Sequence, residues 1–97
     1  MEVTVTNGTG TPVWVDMHFG DDALAWRGEL APDAFFRLAG WVPEGATLEG
    51  HARPTAALRG EPFREELPPC PRWTGAVVLV QGPDGPVPTV TGACHGA

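Results

Sequence analysis

Three side chains that could bind a ligand stand at alternate positions of one short segment. Trp14, Asp16 and His18 are separated by apolar residues, and residues two apart in a β-strand project from the same face. An aromatic ring beside a carboxylate and an imidazole could bind a sugar, a peptide or a metal ion. The alternative interpretation is an ordinary sheet face, or the inside of a closed barrel where Trp14 belongs to the core.

Trp41 and His51 extend this set of candidate binding residues. Trp41 comes at the end of a predicted strand, and tryptophan is a favoured anchor of protein interfaces. His51 lies two residues from both Glu49 and Arg53, and this spacing predicts that all three face outward from another strand. The candidate partner-binding or ligand-binding residues are therefore Trp14, Asp16, His18, Trp41 and His51.

Two cysteines and three histidines are the side chains that a transition metal would favour. Cys94 and His95 are weak metal candidates, because neighbours in a strand point to opposite faces. The chain also has no CxxC or HxxxH pair of the kind that zinc sites use. We therefore predict no metal site and no cofactor. Cys70 and Cys94 could form a disulfide, or both could stay reduced in a cytoplasm.

Catalytic signatures are missing from the sequence. It contains neither GxSxG nor HExxH, the motifs of α/β-hydrolases and zinc proteases. Twelve acidic residues could supply a catalytic pair of carboxylates, but their spacing selects none. Asp21-Asp22 and Glu65-Glu66 are typical of solvated charges in a turn and on a sheet edge. We name no catalytic residue and favour a non-enzymatic protein.

Alternation of apolar and polar residues predicts a chain made almost entirely of β-strands. Gly, Pro, Asn and Asp residues mark the turns between them. The first two strands are expected to form a hairpin around Asn7-Gly8, and Pro62 is typical of an edge strand. The predicted strands are 2–6, 12–19, 23–30, 35–42, 46–53, 61–67, the strongly apolar 75–81, and 87–91.

Short strands with a turn every eight to twelve residues predict one all-β domain over residues 1–97. The predicted architecture is a single antiparallel β-sandwich of about seven strands, immunoglobulin-like or transthyretin-like. A small β-barrel is the second choice. Residues 92–97 are expected to form a flexible tail.

The opening half of the chain resembles two known β-sandwich families. Residues 5–7 (VTN), 12–15 (PVWV) and 30–32 (LAP) look like the start of the von Hippel–Lindau β domain and of thaumatin-like proteins. Both families open with a strand, an Asn turn, a V-W strand and a Leu-x-Pro turn. The resemblance implies sandwich architecture, and no functional residue is carried over from it.

The charge balance limits the partners that the chain can have. Six arginines, no lysine and twelve acidic residues give a net charge of −6. Such a surface repels nucleic-acid phosphates and anionic lipid headgroups, so we expect neither as a partner. No signal peptide or membrane-spanning segment is recognisable, which predicts a cytoplasmic protein, with a secreted mature form as the alternative. The composition, rich in Ala, Gly, Pro and Arg, is bacterial-like.

Together these observations favour a recognition module that binds a protein or peptide through an exposed sheet face or edge. A sheet edge could also join two copies as a homodimer, and the acidic charge favours a basic partner. Two other functions stay open. One is a small-ligand or carbohydrate-binding protein that uses Trp14 and Trp41, and the other is a small metal-dependent enzyme.

Overall fold

The computed structural model describes residues 1–20, 24–41, 45–67, 70, 72–83 and 85–95. Predictions made for 21–23, 42–44, 68–69, 71, 84 and 96–97 lie outside these ranges. The described residues form strands and turns, and they include no helix long and apolar enough to cross a membrane.

Eight strands account for most of the described chain, close to the segments predicted by the alternation of residue types. Their bounds are β1 Glu2–Asn7, β2 Val13–Phe19, β3 Leu24–Leu30, β4 Phe35–Ala39, β5 Thr47–Pro54, β6 Glu61–Glu66, β7 Trp73–Gly82 and β8 Gly85–Cys94. Strand β8 runs through Cys94, so residues 92–94 pair with β7 and are not the tail that the sequence predicted.

The strands form two four-stranded sheets that pack as a β-sandwich, which confirms the predicted fold class. Sheet A has the order β4-β1-β7-β8, and sheet B has the order β3-β2-β5-β6. Only the β1–β7 pair is parallel among the described strand pairs. Strand β7 lies inside sheet A, as its continuous apolar run predicted.

The expected hairpin between the first two strands is wrong. Strand β1 belongs to sheet A and β2 to sheet B, so the residues between them cross from one layer to the other. Gly8 continues alongside β7, where its N–H donates to the Leu79 carbonyl at 2.8 Å. An Asn-Gly signal predicts that the chain changes direction, but it does not say which strand the next segment will pair with.

The core lies between the two sheets and follows the alternation of residue types. Every second residue of β2 is fully buried, and β1, β5 and β7 contribute in the same way. The largest of these fully buried side chains are Phe19, Met17, Leu48 and Leu79. Along one side of the sandwich, Trp26 of β3 stacks on Phe36 of β4 with ring centroids 3.7 Å apart. This stack joins the edge strands of the two sheets.

Trp73 and a disulfide close the end of the sandwich where β7 begins. The Trp73 side chain is buried, and its ring lies over Gly75 and Gly92, which face each other in the β7–β8 ladder. Any Cβ at these two glycines would overlap the indole. Beside the ring, Cys70 and Cys94 form a disulfide with their Cα atoms 5.8 Å apart. The bond ties the segment before β7 to the end of β8.

Asn7 is the one fully buried polar residue in the described part of the chain. Its Nδ2 donates to the carbonyls of Thr11 and Leu30 at 2.7 and 3.0 Å. Its Oδ1 accepts from the N–H and the hydroxyl of Thr9 at 2.9 and 2.7 Å. The Asn7 main chain meanwhile bonds to Asp33 and Ala34 in the β3–β4 turn. One residue therefore holds the β1–β2 crossing against the end of β3 and the turn that follows.

Replacing Asn7 by alanine should be strongly destabilising. The change removes the side-chain bonds to Thr9, Thr11 and Leu30, and it takes a donor away from the buried Leu30 carbonyl. We expect a loss of about 2–4 kcal/mol in the free energy of unfolding, measured by denaturant titration. Thr4→Ala, on the outward side of the same strand, is the control and should cost under about 1 kcal/mol. Equal losses for the two variants would contradict the role assigned to Asn7.

Reducing the disulfide should also lower stability. The bond closes a loop between residues 24 positions apart, which corresponds to about 3 kcal/mol in the chain-entropy treatment. Denaturant titrations with and without reductant should differ by about that amount for the native chain. The Cys70→Ala/Cys94→Ala variant should be insensitive to reductant. Two titratable thiols in unreduced native protein would contradict the bond.

Candidate functional site

The outward side chains of sheet B form a surface that we call the charged face. They come from alternate positions of four adjacent strands, and they include most of the residues predicted to bind a partner. Its members are Trp14, Asp16 and His18 of β2, Arg27 and Glu29 of β3, Glu49, His51 and Arg53 of β5, and Arg64 and Glu66 of β6. The strand register decides which of them are neighbours.

Asp16 lies at the centre of this face, between Arg27 and His51. The register places Arg27 opposite Asp16 on β3 and His51 opposite it on β5. Nε and Nη2 of Arg27 lie 3.2 and 3.1 Å from Asp16 Oδ2. Both side chains remain in contact with solvent, since 29% of the Asp16 side chain and 70% of the Arg27 side chain are exposed. The ion pair orients the carboxylate without removing it from the surface.

His18, Glu49 and Arg64 form the next row of the charged face. Nδ1 of His18 lies 3.0 Å from the Gly20 carbonyl, which can only accept, so Nδ1 carries a proton in this contact. His18 Nε2 then faces Glu49 Oε2 at 3.9 Å, and this nitrogen can donate only in the imidazolium form. The other Glu49 oxygen accepts from Arg64 Nε at 3.2 Å. Glu49 therefore lies between two cationic or potentially cationic groups.

Trp14 and Arg53 form a third row, opposite one another on β2 and β5. The Arg53 guanidinium carbon lies 5.9 Å from the Trp14 ring centroid, within the range of a cation–π contact. Arg53 Nη1 also donates to the carbonyls of Thr55 and Ala57 at 3.0 and 2.8 Å. These bonds hold the arginine in place, and Trp14 stays half-buried beside it.

Open depressions border β2 and β5 on the charged face. One of about 440 Å³ is lined by His18, Glu49, His51 and Arg64 among others, and one of about 420 Å³ by Asp16, His18 and Arg27 among others. A larger, mostly apolar depression of about 690 Å³ lies at the end of the sandwich and meets the charged face at Glu29. It is lined by Thr11, Pro12, Glu29, Pro54, Thr55, Ala56 and Gln81. The sequence analysis did not identify this depression; its only local signal is the prolines beside two strand ends.

The structure brings together four of the five predicted binding residues. Trp14, Asp16, His18 and His51 share the charged face, whereas Trp41 does not belong to it. Trp41 follows β4 of sheet A, near the chain start, and is 79% exposed. Trp14 lies near the start of β2, at the opposite end of the sandwich. Trp41 was predicted to share a binding surface with Trp14, but the strand that it follows, β4, belongs to the other sheet.

Cys94 and His95 do not form a metal site. The Cys94 sulfur is bonded to Cys70 and cannot act as a thiolate ligand. His95 follows the end of β8, where its main-chain N–H donates to the Arg72 carbonyl at 2.7 Å. Across the part of the chain that the structure describes, no three His, Cys, Asp or Glu side chains are placed to hold a metal ion.

Six members of the charged face were not predicted as site residues, and four of these make its cross-strand contacts. Arg27, Glu49, Arg53 and Arg64 were expected to face solvent or were not singled out. Their importance comes from strand register, which pairs β2 with both β3 and β5 and pairs β5 with β6. Alternation within one strand predicts which way a residue faces but not its neighbour on the next strand.

Comparison of the chain with protein-family models, with curated proteins and with solved structures gives no match. The resemblance of the opening half to two sandwich families therefore rests on the quoted residues alone. The geometry of the surfaces is the basis for the function proposed below.

The ion pairs of the charged face should contribute little to stability. Glu49 and Arg64 are 40% and 66% exposed, so Glu49→Gln should change the free energy of unfolding by less than about 1 kcal/mol. The adjacent Gly50→Ala is the contrasting variant, because its Cβ would overlap the Asp16 carbonyl oxygen. We expect this overlap to cost about 1–3 kcal/mol. Denaturant titration compares them, and a large loss for Glu49→Gln would assign the charges a structural role.

Proposed function

We propose that this domain is a non-enzymatic recognition module that binds a protein or peptide through the charged face. The observation that carries the proposal is the placement of Trp14 between an arginine held over its ring and a row of exposed, oriented charges. Tryptophan and arginine are the residue types most often found at the energetic centre of protein interfaces. An open face of this kind fits a partner's surface or an extended segment better than an enclosed small molecule.

The contrast between the two outer faces of the sandwich supports this choice. The outward residues of sheet A are mostly threonine, alanine and valine, with Glu2 and Arg37 forming an ion pair across β1 and β4. The charged face carries three of the six arginines of the chain, namely Arg27, Arg53 and Arg64. Polar groups in fixed positions provide specificity, and sheet B concentrates them.

The chain has no serine hydroxyl and no free thiol that His18 and Glu49 could activate as a nucleophile. The sequence contains no serine, and both cysteines are in the disulfide. A histidine–carboxylate pair promotes covalent catalysis by activating a nearby hydroxyl or thiol. Thr47 is the one threonine within the described strands of sheet B. Its hydroxyl donates to Glu49 Oε1 at 3.4 Å, whereas His18 Nε2 faces the other oxygen, Oε2. This supports recognition over the enzymatic alternative.

A carbohydrate site shared by Trp14 and Trp41 finds no support, because the two residues lie on different sheets at opposite ends of the sandwich. The overall charge of −6 favours a basic partner, since long-range attraction accelerates encounter. The disulfide supports the secreted alternative over the predicted cytoplasmic location, because cytosolic reductants keep such thiols reduced.

The test is selection of short random peptides on the immobilised domain, followed by titration calorimetry with the selected peptides. Trp14→Ala should weaken binding by at least about tenfold. Trp41→Ala, which removes an equally large and more exposed ring from sheet A, should leave the affinity within about twofold. A basic peptide should also bind more weakly as ionic strength rises.

Nuclear magnetic resonance provides a second readout of the same proposal. The four tryptophans give four indole N–H signals, which the single substitutions assign. Addition of a selected peptide should shift the Trp14 signal and leave the Trp41 signal in place. Peptides whose affinity is unchanged by Trp14→Ala, or that shift only Trp41, would overturn the charged face as the binding surface.

A further inference from the structure

Each sheet of the sandwich ends in two edge strands, β4 and β8 in sheet A and β3 and β6 in sheet B. An edge strand presents unpaired N–H and C=O groups that can pair with another chain. Soluble proteins protect such edges by keeping them short or by placing charges and prolines on them. The four edges of this domain differ in that protection.

Three edges are protected by one of these means. Strand β4 is short, Phe35–Ala39, and carries Arg37. Strand β3 carries Arg27 and Glu29. Strand β6 has the sequence EPFREE, with a proline and several charges. These strands are poor templates for pairing with another chain.

Strand β8 is protected over its first half only. Pro86 and Pro88 stand in that half, and no charged residue occurs anywhere from Gly85 to Cys94. The second half, residues 89–94 (TVTGAC), also lacks proline, and all of it except the half-buried Val90 is exposed. Threonine and valine favour strand conformation. This segment is an uncharged edge, and none of the described strands pairs with its outer side.

The direction of the backbone groups on this edge follows from the β7–β8 ladder. The His95 N–H donates to Arg72 across the end of that ladder. Hydrogen-bonding direction alternates along an antiparallel strand, and the β7–β8 register is continuous. The odd-numbered residues of β8 therefore face β7, whereas Val90, Gly92 and Cys94 point their N–H and C=O groups to the open side. Pro86 and Pro88 are also even-numbered. The backbone N–H groups that proline lacks would therefore have pointed to the same open side.

We propose that residues 88–94 of β8 pair with the same residues of a second copy, antiparallel and across a two-fold axis at Thr91. In this register Val90 of each copy lies opposite Gly92 of the other, and each such pair exchanges two N–H···O bonds. Cys94 lies opposite Pro88, whose carbonyl accepts from the Cys94 N–H. The two A sheets would join into one continuous sheet.

A second copy fits this edge better than a charged partner does. Two molecules with a net charge of −6 repel each other, and the second half of β8 is where they can approach without opposing like charges. On the outer face of the joined sheet, Thr91 meets its own copy, a pairing that favours strand association. The residues on either side, Thr89 and Ala93, are small and uncharged.

The contact is small, so the dimer should be a weak one. Edge pairing over half a strand buries less than the roughly 800 Å² per partner of stable complexes. We expect dissociation constants roughly in the micromolar to millimolar range. Sedimentation velocity over a series of concentrations should therefore detect a monomer–dimer equilibrium of the native chain.

Thr91→Lys tests the two-fold axis directly. The side chain is exposed on the outer face, so the monomer should fold normally, which circular dichroism checks. In the dimer the two lysines would face each other, and association should weaken by at least about tenfold. Thr74→Lys makes the same charge change on the same outer face, one strand further from the edge, and should leave dimerisation intact.

Thr91→Cys gives a second test that does not depend on repulsion. Facing residues of this pair type have Cα atoms about 4.5 Å apart, within the range for a disulfide. Mild oxidation should cross-link the variant through position 91, as peptide mapping by mass spectrometry would identify. Thr74→Cys should not cross-link, because three strand spacings, about 14 Å, separate the two copies of that residue across the sheet, and they are also offset along the strands.

A native chain that stays monomeric throughout the concentration series would overturn the proposal. The β8 edge would then be a candidate site for an extended peptide of another protein. A dimer that survives Thr91→Lys unchanged would also overturn it, because association would then use another surface. The proposed function is tested separately. Trp14→Ala should leave dimerisation unchanged, and Thr91→Lys should leave peptide binding to the charged face unchanged.

Discussion

The buried amide of Asn7 holds together the part of the sandwich where the chain passes between layers. Four hydrogen bonds satisfy its side chain, and they reach the β1–β2 crossing and the last residue of β3. Because an unsatisfied buried amide is costly, the crossing and the end of β3 must keep this relative position. On either side of the crossing, β1 lies in sheet A and β2 in sheet B. In sheet B, β2 pairs with β3 and β5 and carries the centre of the charged face.

The two sheets share one core but differ in what they present to solvent. Sheet B displays Trp14 among cross-strand ion pairs, whereas the outward residues of sheet A are mostly small and uncharged. Surface ion pairs add little stability, and the proposed recognition function would account for their concentration on one sheet. The uncharged outer face of sheet A continues to the edge of β8. A partner on sheet B and a second copy at β8 would therefore not compete for the same surface.

The candidate site shows which of its residues the alternation of residue types can predict. Trp14, Asp16 and His18 share a face because they lie two apart in one strand, and this relation is local. His51 and Glu49 join them only because β5 pairs with β2, and Arg64 joins through β6. Trp41 was grouped with them because of its residue type and its place at the end of a predicted strand. Its strand belongs to the other sheet, which no local pattern reveals.

The sequence by itself determined where the strands lie, which way their side chains face and that the domain is a β-sandwich. These properties follow from the period of two and from the turn residues, which act over a few neighbouring positions. Only the tertiary structure decided the sheet to which each strand belongs, the parallel β1–β7 pair, the Cys70–Cys94 bond and the rows of the charged face. Strand pairing joins residues far apart in the chain, and many partner choices satisfy the same alternation. The choice depends on buried contacts between residues far apart in the chain, such as Asn7 with Leu30 and Trp73 with Gly92, which no single segment contains.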